Sequence, residues 1–315
     1  MPNQPPVPAP GIWAPAITFL DPTTDTLALP QQSQYLTYLS RHLTGLVILG
    51  TNAETFLLTR QERASLIRAA RSAVGPTYPL MAGVSGHSTA QVLEFAHDAE
   101  EAGADYLLVL PPAYFGKATT PAVIEKFYDQ LVEGTKVPIV LYNFPGVCNG
   151  VDLESDFIEK LALKHRGRIT GVKLTCASVA KIVRLGAVLP EEEFSVFGGQ
   201  ADFLLGGLVS GSAGCVAAFA NVAPKTVMEV WRLWKNGEGE KALALHQKAA
   251  RAERVCKGGI AGTKFAAGLV SARLAGVEGA DGLLGPRAPY EPLSEGQKEG
   301  IRGMLKEVAE IEEGL

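Results

Sequence analysis

Lys173 and Tyr142 are the residues in this chain best suited to do chemistry. The run I-T-G-V-K-L-T at 169–175 reads as a buried β-strand with an amine near its end, and V-P-I-V-L-Y-N-F-P at 137–145 reads as another that ends in a phenol. Burial disfavours an ammonium ion, so a lysine where an apolar strand meets a loop is placed to shed its proton and attack a carbonyl carbon. If the two strands are neighbours, about 4.8 Å apart, hydroxyl and amine reach one carbon. The imine that forms withdraws electrons, so the adjacent carbon can become an enamine with no metal present.

Further groups follow other apolar runs: G-T-N-A-E at 50–54, P-P-A-Y-F at 111–115, G-G-Q-A-D at 198–202 and V-A-A-F-A-N-V at 216–222. Gly50, Thr51 and Asn52 offer backbone and side-chain donors that can neutralise a carboxylate. Thr175 and Cys176 follow the lysine closely enough to touch a substrate, although Cys176 reads more simply as loop packing. Glu54 reads as a structural partner for loop amides, not as an acid catalyst. His87, in G-V-S-G-H-S-T, is the one histidine expected on the same face as the lysine, whereas His42, His97, His165 and His246 read as exposed helix or helix-end residues. The five histidines and four cysteines lack metal-ligand spacing and there is no phosphate-binding glycine loop, so neither a metal nor a cofactor is expected.

These groups need a scaffold that gathers strand ends. Eight β-like runs are expected at 12–19, 45–49, 79–83, 105–110, 138–142, 169–173, 194–198 and 213–217. Helical runs near 31–43, 60–73, 88–102, 121–133, 154–164, 178–188 and 201–209 alternate with them. Continuous apolar strands separated by helices indicate a parallel sheet covered on both faces. Eight in that order predict an α/β fold, a (β/α)₈ barrel whose chemistry lies at the carboxyl ends of the strands. The alternative is a doubly wound open sheet, which usually carries a glycine-rich turn after its first strand. T-F-L-D-P-T-T at 18–24 has none.

Past the eighth strand only helices are expected, at 224–257, 260–275 and 294–313, with P-R-A-P-Y-E-P-L at 286–293 as a connector. The chain therefore divides into a loose lead-in at 1–10, the barrel at 11–223 and a helical extension at 224–315.

Of 315 residues, 47% are hydrophobic and 20% charged, with a net charge of −4, so a nucleic-acid partner lacks its basic footprint. No apolar stretch reaches the roughly 18 uncharged residues that a membrane span needs. Cys148, Cys176, Cys215 and Cys256 are scattered and read as free thiols in a reducing compartment. The opening M-P-N-Q-P-P-V-P-A-P reads as neither a signal nor a transit peptide, so a cytoplasmic location is expected.

G-T-N-A-E followed by L-L-T-R-Q-E-R, then Y-N-F-P, then G-V-K, in that order on those strands, resembles the dihydrodipicolinate synthase / N-acetylneuraminate lyase family of pyruvate-dependent class I aldolases. The resemblance spans about residues 11–305. It implies that Lys173 forms a Schiff base with a 2-oxo acid and that Tyr142 shuttles protons. It further implies that Thr51 and Asn52 hold the pyruvate carboxylate, where the family uses a Thr-Thr pair. Tyr114 aligns with a tyrosine that in some members reaches a neighbouring subunit's proton relay, and Gly199 with a glycine lining the pocket. Val216 joins the expected substrate-binding set. Dimers or tetramers are implied as well.

Two departures bear on the substrate. Dihydrodipicolinate synthases typically place an arginine two residues after the Y-N-F-P proline, where Val147 or Cys148 stands here, and K-L-T-C replaces their K-E-A pattern. The K-L-T-C form resembles aldolases that cleave 2-oxo-3-deoxy sugar acids, notably 2-keto-3-deoxy-L-galactonate. The 4-hydroxy-2-oxoglutarate aldolases are the second expectation and 4-hydroxy-tetrahydrodipicolinate synthase a weaker third. A barrel that senses a 2-oxo acid without turnover is the non-enzymatic alternative.

Overall fold

The computed structural model describes residues 7–315. Eight parallel strands close into a barrel: β1 Gly11–Pro15, β2 Gly45–Ile48, β3 Leu80–Gly83, β4 Tyr106–Val109, β5 Ile139–Asn143, β6 Ile169–Leu174, β7 Ser195–Gly198 and β8 Gly214–Val216. Each pairs with its sequence neighbour, and β1 seals the ring by pairing with both β2 and β8. The expected (β/α)₈ architecture is therefore the one observed. Every residue of the eight strands is buried, which is why the strands read as unbroken apolar runs.

Helices α1 Leu29–Ser40, α2 Arg60–Val74, α3 Thr89–Glu101, α4 Pro121–Gly134, α5 Ser155–Lys164, α6 Val179–Gly186 and α7 Leu204–Val209 surround the strands. Their starts follow local chemistry. Thr59 and Glu62 form a reciprocal capping box on α2, and Ser88, Thr120 and Ser178 accept from the first-turn amides of α3, α4 and α6. The eighth outer helix is α8, Pro224–Lys235, which packs against β1, so the expected boundary at 223 falls just before the helix that completes the outer ring.

The extension expected as one helix over 224–257 is broken twice. Gly237, at φ 79°, ends α8, and after α9 Gly239–Ala252 the chain turns at Glu253 into the short α10 Arg254–Lys257. Next come α11 Ile260–Ala267, a π-helical turn Gly268–Ala272, the short α12 Ala280–Leu283 and α13 Glu295–Gly314. The first expected strand is also shorter than 12–19. After Pro15 the chain leaves the barrel for a small antiparallel ribbon, Leu20–Asp21 with Thr26–Leu27, whose turn is held by Asp21 Oδ1 accepting from the Thr23 amide at 2.8 Å.

Residues 1–6 of the expected lead-in lie outside the described residues. Residues 7–10 are not loose: the Val7, Pro8 and Ala9 carbonyls accept hydrogen bonds from Tyr106, Ser195 and the Trp13 indole, at 3.2, 2.7 and 3.1 Å. They lie against the amino-terminal end of the barrel.

Inside the ring, Trp13, Val47, Met81, Tyr106, Val140, Phe197 and Val216 fill the lumen, with Trp13 edge-on to Tyr106 and Phe197 at 6.2 Å each. Alternate residues such as Ile12, Ala14, Ile139 and Leu141 face the helices instead. Gly45 makes room for the indole, because a Cβ there would lie 2.4 Å from the Trp13 ring. Gly45→Ala is expected to lower unfolding stability by about 1–3 kcal/mol through overpacking, read as an earlier urea midpoint.

Candidate active site

Parallel register puts Tyr142 of β5 directly beside Lys173 of β6, and Lys173 beside Phe197 of β7. Tyr142 continues the inward parity of Val140, so amine and phenol share the inner wall above the packed lumen. Both are 3% exposed. Lys173 Nζ donates to the Tyr142 hydroxyl at 3.1 Å and lies 4.2 Å from the centre of its ring. The Tyr142 hydroxyl is in turn 3.2 Å from Thr51 Oγ1. An amine, a phenol and an alcohol thus form one hydrogen-bonded chain.

The strand ends are fixed from behind. The Thr175 amide donates to the Asn143 carbonyl at 2.9 Å, holding the ends of β6 and β5 together. The Asn143 side chain donates to Asp152 at 2.6 Å and accepts from the Leu153 amide at 2.9 Å, while buried Lys181 donates to Asp152 at 2.6 Å and to the Leu153 carbonyl at 2.8 Å.

The turn after β2 is a single 3₁₀ turn, Thr51–Ala53, flanked by two non-glycine residues in the left-handed region, Leu49 at φ 64° and Glu54 at φ 58°. Glu54 is held there by its own carboxylate. Oε2 accepts from Lys264 of α11 at 2.7 Å and Oε1 from the Arg287 amide at 2.6 Å. The structural role expected of Glu54 is what these contacts describe, with the added feature of a buried counter-ion. Burial pulls the Lys264 ammonium below the usual lysine range, and the Glu54 charge partly offsets the effect.

A cavity of about 110 Å³ opens at these strand ends. Of the residues expected to bind substrate, Thr51, Asn52, Thr175 and Gly199 line it together with Tyr142 and Lys173. Thr175 Oγ1 is buried without a protein partner among the described residues, and Gly199 has to be glycine because a Cβ would lie 2.0 Å from that oxygen.

Three expected residues are not part of this wall. Gly50 precedes the 3₁₀ turn and packs towards Pro15. Val216 belongs to the lumen layer, because inward parity on β8 puts it in the packed interior. Tyr114 is 70% exposed, since the loop after β4 turns outward, and it lies against His87 and Phe115. His87 is also exposed, stacked on Phe56, and lines a separate surface groove with Tyr114. Val147 and Cys148 do not reach the cavity either.

The rest of the wall was not foreseen: Phe144, Gln200, Ala218 and, from the extension, Glu253, Cys256 and Lys257. Gln200 and Ala218 follow β7 and β8, and strand-end position alone marks them. Glu253 and Lys257, four apart in an expected helix, carry the signature of an exposed charge pair. Instead the helix breaks at Glu253. Lys257 pairs with Asp202 at 2.8 Å and donates to the Gln200 side chain, while Glu253 is 2% exposed. His246, expected on the surface, is buried for the same reason: α9 packs on the loop after β7, and its Nε2 lies 2.7 Å from the Ala201 carbonyl.

Burial, and then the Asp202 charge, push the Glu253 carboxyl up to about 7. The Ala201 and Asp202 amides and Lys257 oppose the shift. Burial raises the Cys256 thiol to about 12 and the Cys215 thiol well above its ordinary value, so neither is a ready nucleophile.

With this geometry in place, comparison with known proteins is direct. Residues 21–308 match the Dihydrodipicolinate synthetase family, and the chain belongs to it. A protein of Coccidioides immitis, provisionally named a mitochondrial 4-hydroxy-2-oxoglutarate aldolase, is 61% identical over 99% of both chains. An L-threo-3-deoxy-hexylosonate aldolase of Aspergillus niger is 32% identical over 97% of both. A crystal structure of a dihydrodipicolinate synthase family protein from Coccidioides immitis superposes with a TM-score of 0.94 at 59% identity, over 99% of each chain.

Two outcomes follow from the buried charges. Lys264→Met leaves the Glu54 carboxylate buried without its cation and is expected to lower stability by about 3–5 kcal/mol in urea denaturation at neutral pH. Glu253 keeps its proton in the folded state between pH 4.5 and about 7, whereas an ordinary glutamate in the unfolded chain has released it. Its contribution to stability is therefore complete below 4.5, falls as pH rises and is lost once pH passes about 7. Glu253→Gln cannot ionise, so the stability of the variant relative to the parent should rise by roughly 3 kcal/mol across that window and then stay level.

Proposed function

We propose that this protein is a metal-independent class I aldolase that releases pyruvate from a 4-hydroxy-2-oxo acid, with 4-hydroxy-2-oxoglutarate as the leading substrate. The observation that carries the reading is the buried chain Lys173 Nζ to Tyr142 hydroxyl to Thr51 Oγ1 beside a cavity at the strand ends. Lys173 attacks the C2 carbonyl, and loss of water yields a protonated imine. Thr51 and Asn52, with the Thr175 hydroxyl, hold the C1 carboxylate. Tyr142 takes the proton from the C4 hydroxyl, the C3–C4 bond breaks, its electrons enter the imine to give an enamine, and the C4 half leaves as an aldehyde. Protonation at C3 and addition of water to the imine then free pyruvate and the amine. From 4-hydroxy-2-oxoglutarate the aldehyde is glyoxylate.

The 61% identical relative supports this substrate above 2-keto-3-deoxy-L-galactonate, which was the first expectation. The sugar acid is the second reading, favoured by the K-L-T-C sequence and by the hexylosonate aldolase relative. Condensation with aspartate semialdehyde has less support, since Val147 brings no guanidinium. A homodimer or homotetramer is proposed from the family and from the exposed aromatics Phe56, Tyr114 and Phe115, through which Tyr114 would meet a second copy. Four free thiols suit a reducing compartment, either the cytoplasm or the mitochondrial matrix. No helix among the described residues is long and apolar enough to cross a membrane.

Borohydride added with pyruvate should fix a reduced adduct on Lys173, detected by peptide mass spectrometry. No adduct at saturating pyruvate would reject the mechanism. Tyr142→Phe should keep pyruvate binding while kcat falls by about 10²–10⁴; a parent protein that forms the adduct but turns over neither substrate would favour the sensor instead. Measured side by side, kcat/KM for 4-hydroxy-2-oxoglutarate should exceed that for 2-keto-3-deoxy-L-galactonate, and the reverse order would favour the second reading.

A further inference from the structure

A ligand tethered through C2 to Lys173, with its C1 carboxylate at Thr51 and Asn52, must turn its remaining carbons towards the other walls of the cavity. Those walls are Phe144, Gln200, Ala218, Glu253, Cys256 and Lys257. Among them, three groups have unused hydrogen-bonding capacity, one being Gln200, whose Oε1 accepts from Lys257 while its amide nitrogen has no partner among the described residues. Glu253 accepts from the Ala201 amide through Oε1 at 3.0 Å, while its Oε2 is buried with no partner among the described residues. Lys257 has three donors, one directed at Asp202 and one at Gln200, which leaves a third. A buried carboxyl oxygen without a partner is costly unless a ligand or a proton satisfies it.

We propose that Glu253, as a neutral carboxylic acid, donates a hydrogen bond from Oε2 to the distal carboxylate of a dicarboxylic 2-oxo acid, while Lys257 supplies the compensating positive charge. This rests on the Schiff-base reading above and adds a specificity group to it. An ionised Glu253 would face that carboxylate as a like charge, so binding of the dicarboxylate is linked to proton uptake. The titratable groups around it are Asp202 from the loop after β7, Lys257 and Cys256 from α10, Cys215 from β8 and His246 from α9. Asp202 favours the protonated form and Lys257 opposes it. Both thiols are raised and stay uncharged. Glu253, pushed up to about 7, changes charge near neutrality, and the Glu253→Gln variant separates its titration from that of the neighbouring groups.

The test uses 2-oxoglutarate, which carries both carboxylates but lacks the C4 hydroxyl and so binds without cleavage. Its saturation of borohydride trapping on Lys173 is compared with that of pyruvate, which has no distal group. Taking the ratio removes the pH dependence of imine formation itself. In the full-length parent protein the preference for 2-oxoglutarate should fall by about tenfold or more between about pH 6 and about pH 8.5. In Glu253→Gln, whose amide still donates but never ionises, the preference should stay level over that range. In Glu253→Leu it should be low throughout. A parent preference that ignores pH, or a Glu253→Gln profile that tracks the parent, overturns the proposal and leaves the Schiff-base reading intact. Absence of any adduct with pyruvate overturns both.

Discussion

The site depends on one constraint, the register between β5 and β6 in a closed barrel. Side chains alternate along a strand, so a slip of one residue would send either Tyr142 or Lys173 out towards the helices. The ring cannot slip one pair without disturbing the next, because β6 is fixed on its other side by Lys173 opposite Phe197. Closure also removes any free edge. The phenol and amine are therefore positioned by a hydrogen-bonded ladder and not by side-chain packing alone. Packing supplies the second requirement. Trp13, Phe197 and Val216 fill the lumen beneath, so the amine is cut off from water below, and the Tyr142 hydroxyl and ring face are its immediate company. Such a lysine is costly to bury, and that cost is the physical reason to look for chemistry there.

A second set of contacts builds the remaining walls. The 3₁₀ turn that carries Thr51 and Asn52 ends at Glu54 in a left-handed conformation that a glutamate does not favour. The Lys264 ammonium and the Arg287 amide together hold its carboxylate, so two parts of the extension lock the turn from outside the barrel. The Glu253 carboxylate and the Ala201 amide make the corresponding link at the loop after β7. The extension therefore does more than cover the barrel's surface: it completes the cavity and braces two of the loops that shape it.

This division explains what could be read from the residues alone. Strands buried on both faces are unbroken apolar runs, so all eight were visible, and with them the residues at their ends: Lys173, Tyr142, Thr51, Asn52, Thr175 and Gly199. Errors arose where parity or tertiary packing decides the outcome. Val216 sits at a strand end, but its side chain belongs to the lumen layer. Glu253, Lys257 and His246 were hidden for a different reason. Their spacing is that of a solvated helix, and only the break at Glu253 and the docking of α9 on the loop after β7 bury them. Nothing in local pattern announces a helix that ends by turning a carboxylate inward.

The two origins of the cavity wall carry different mechanical freedom. Tyr142 and Lys173 are held side by side in the β5–β6 ladder, so the position of phenol and amine is rigid. Glu253, Cys256 and Lys257 sit instead at the junction of two helices, fixed mainly by side-chain contacts to Ala201, Asp202 and Gln200. A change of residue there alters charge and shape at the far part of the cavity without disturbing the ladder. Under the proposed mechanism the barrel sets which bond is handled, and the helical junction which tail is admitted. On that proposal the strand-end motifs narrow the substrate class, and a buried acid and a lysine from the helical extension choose within it.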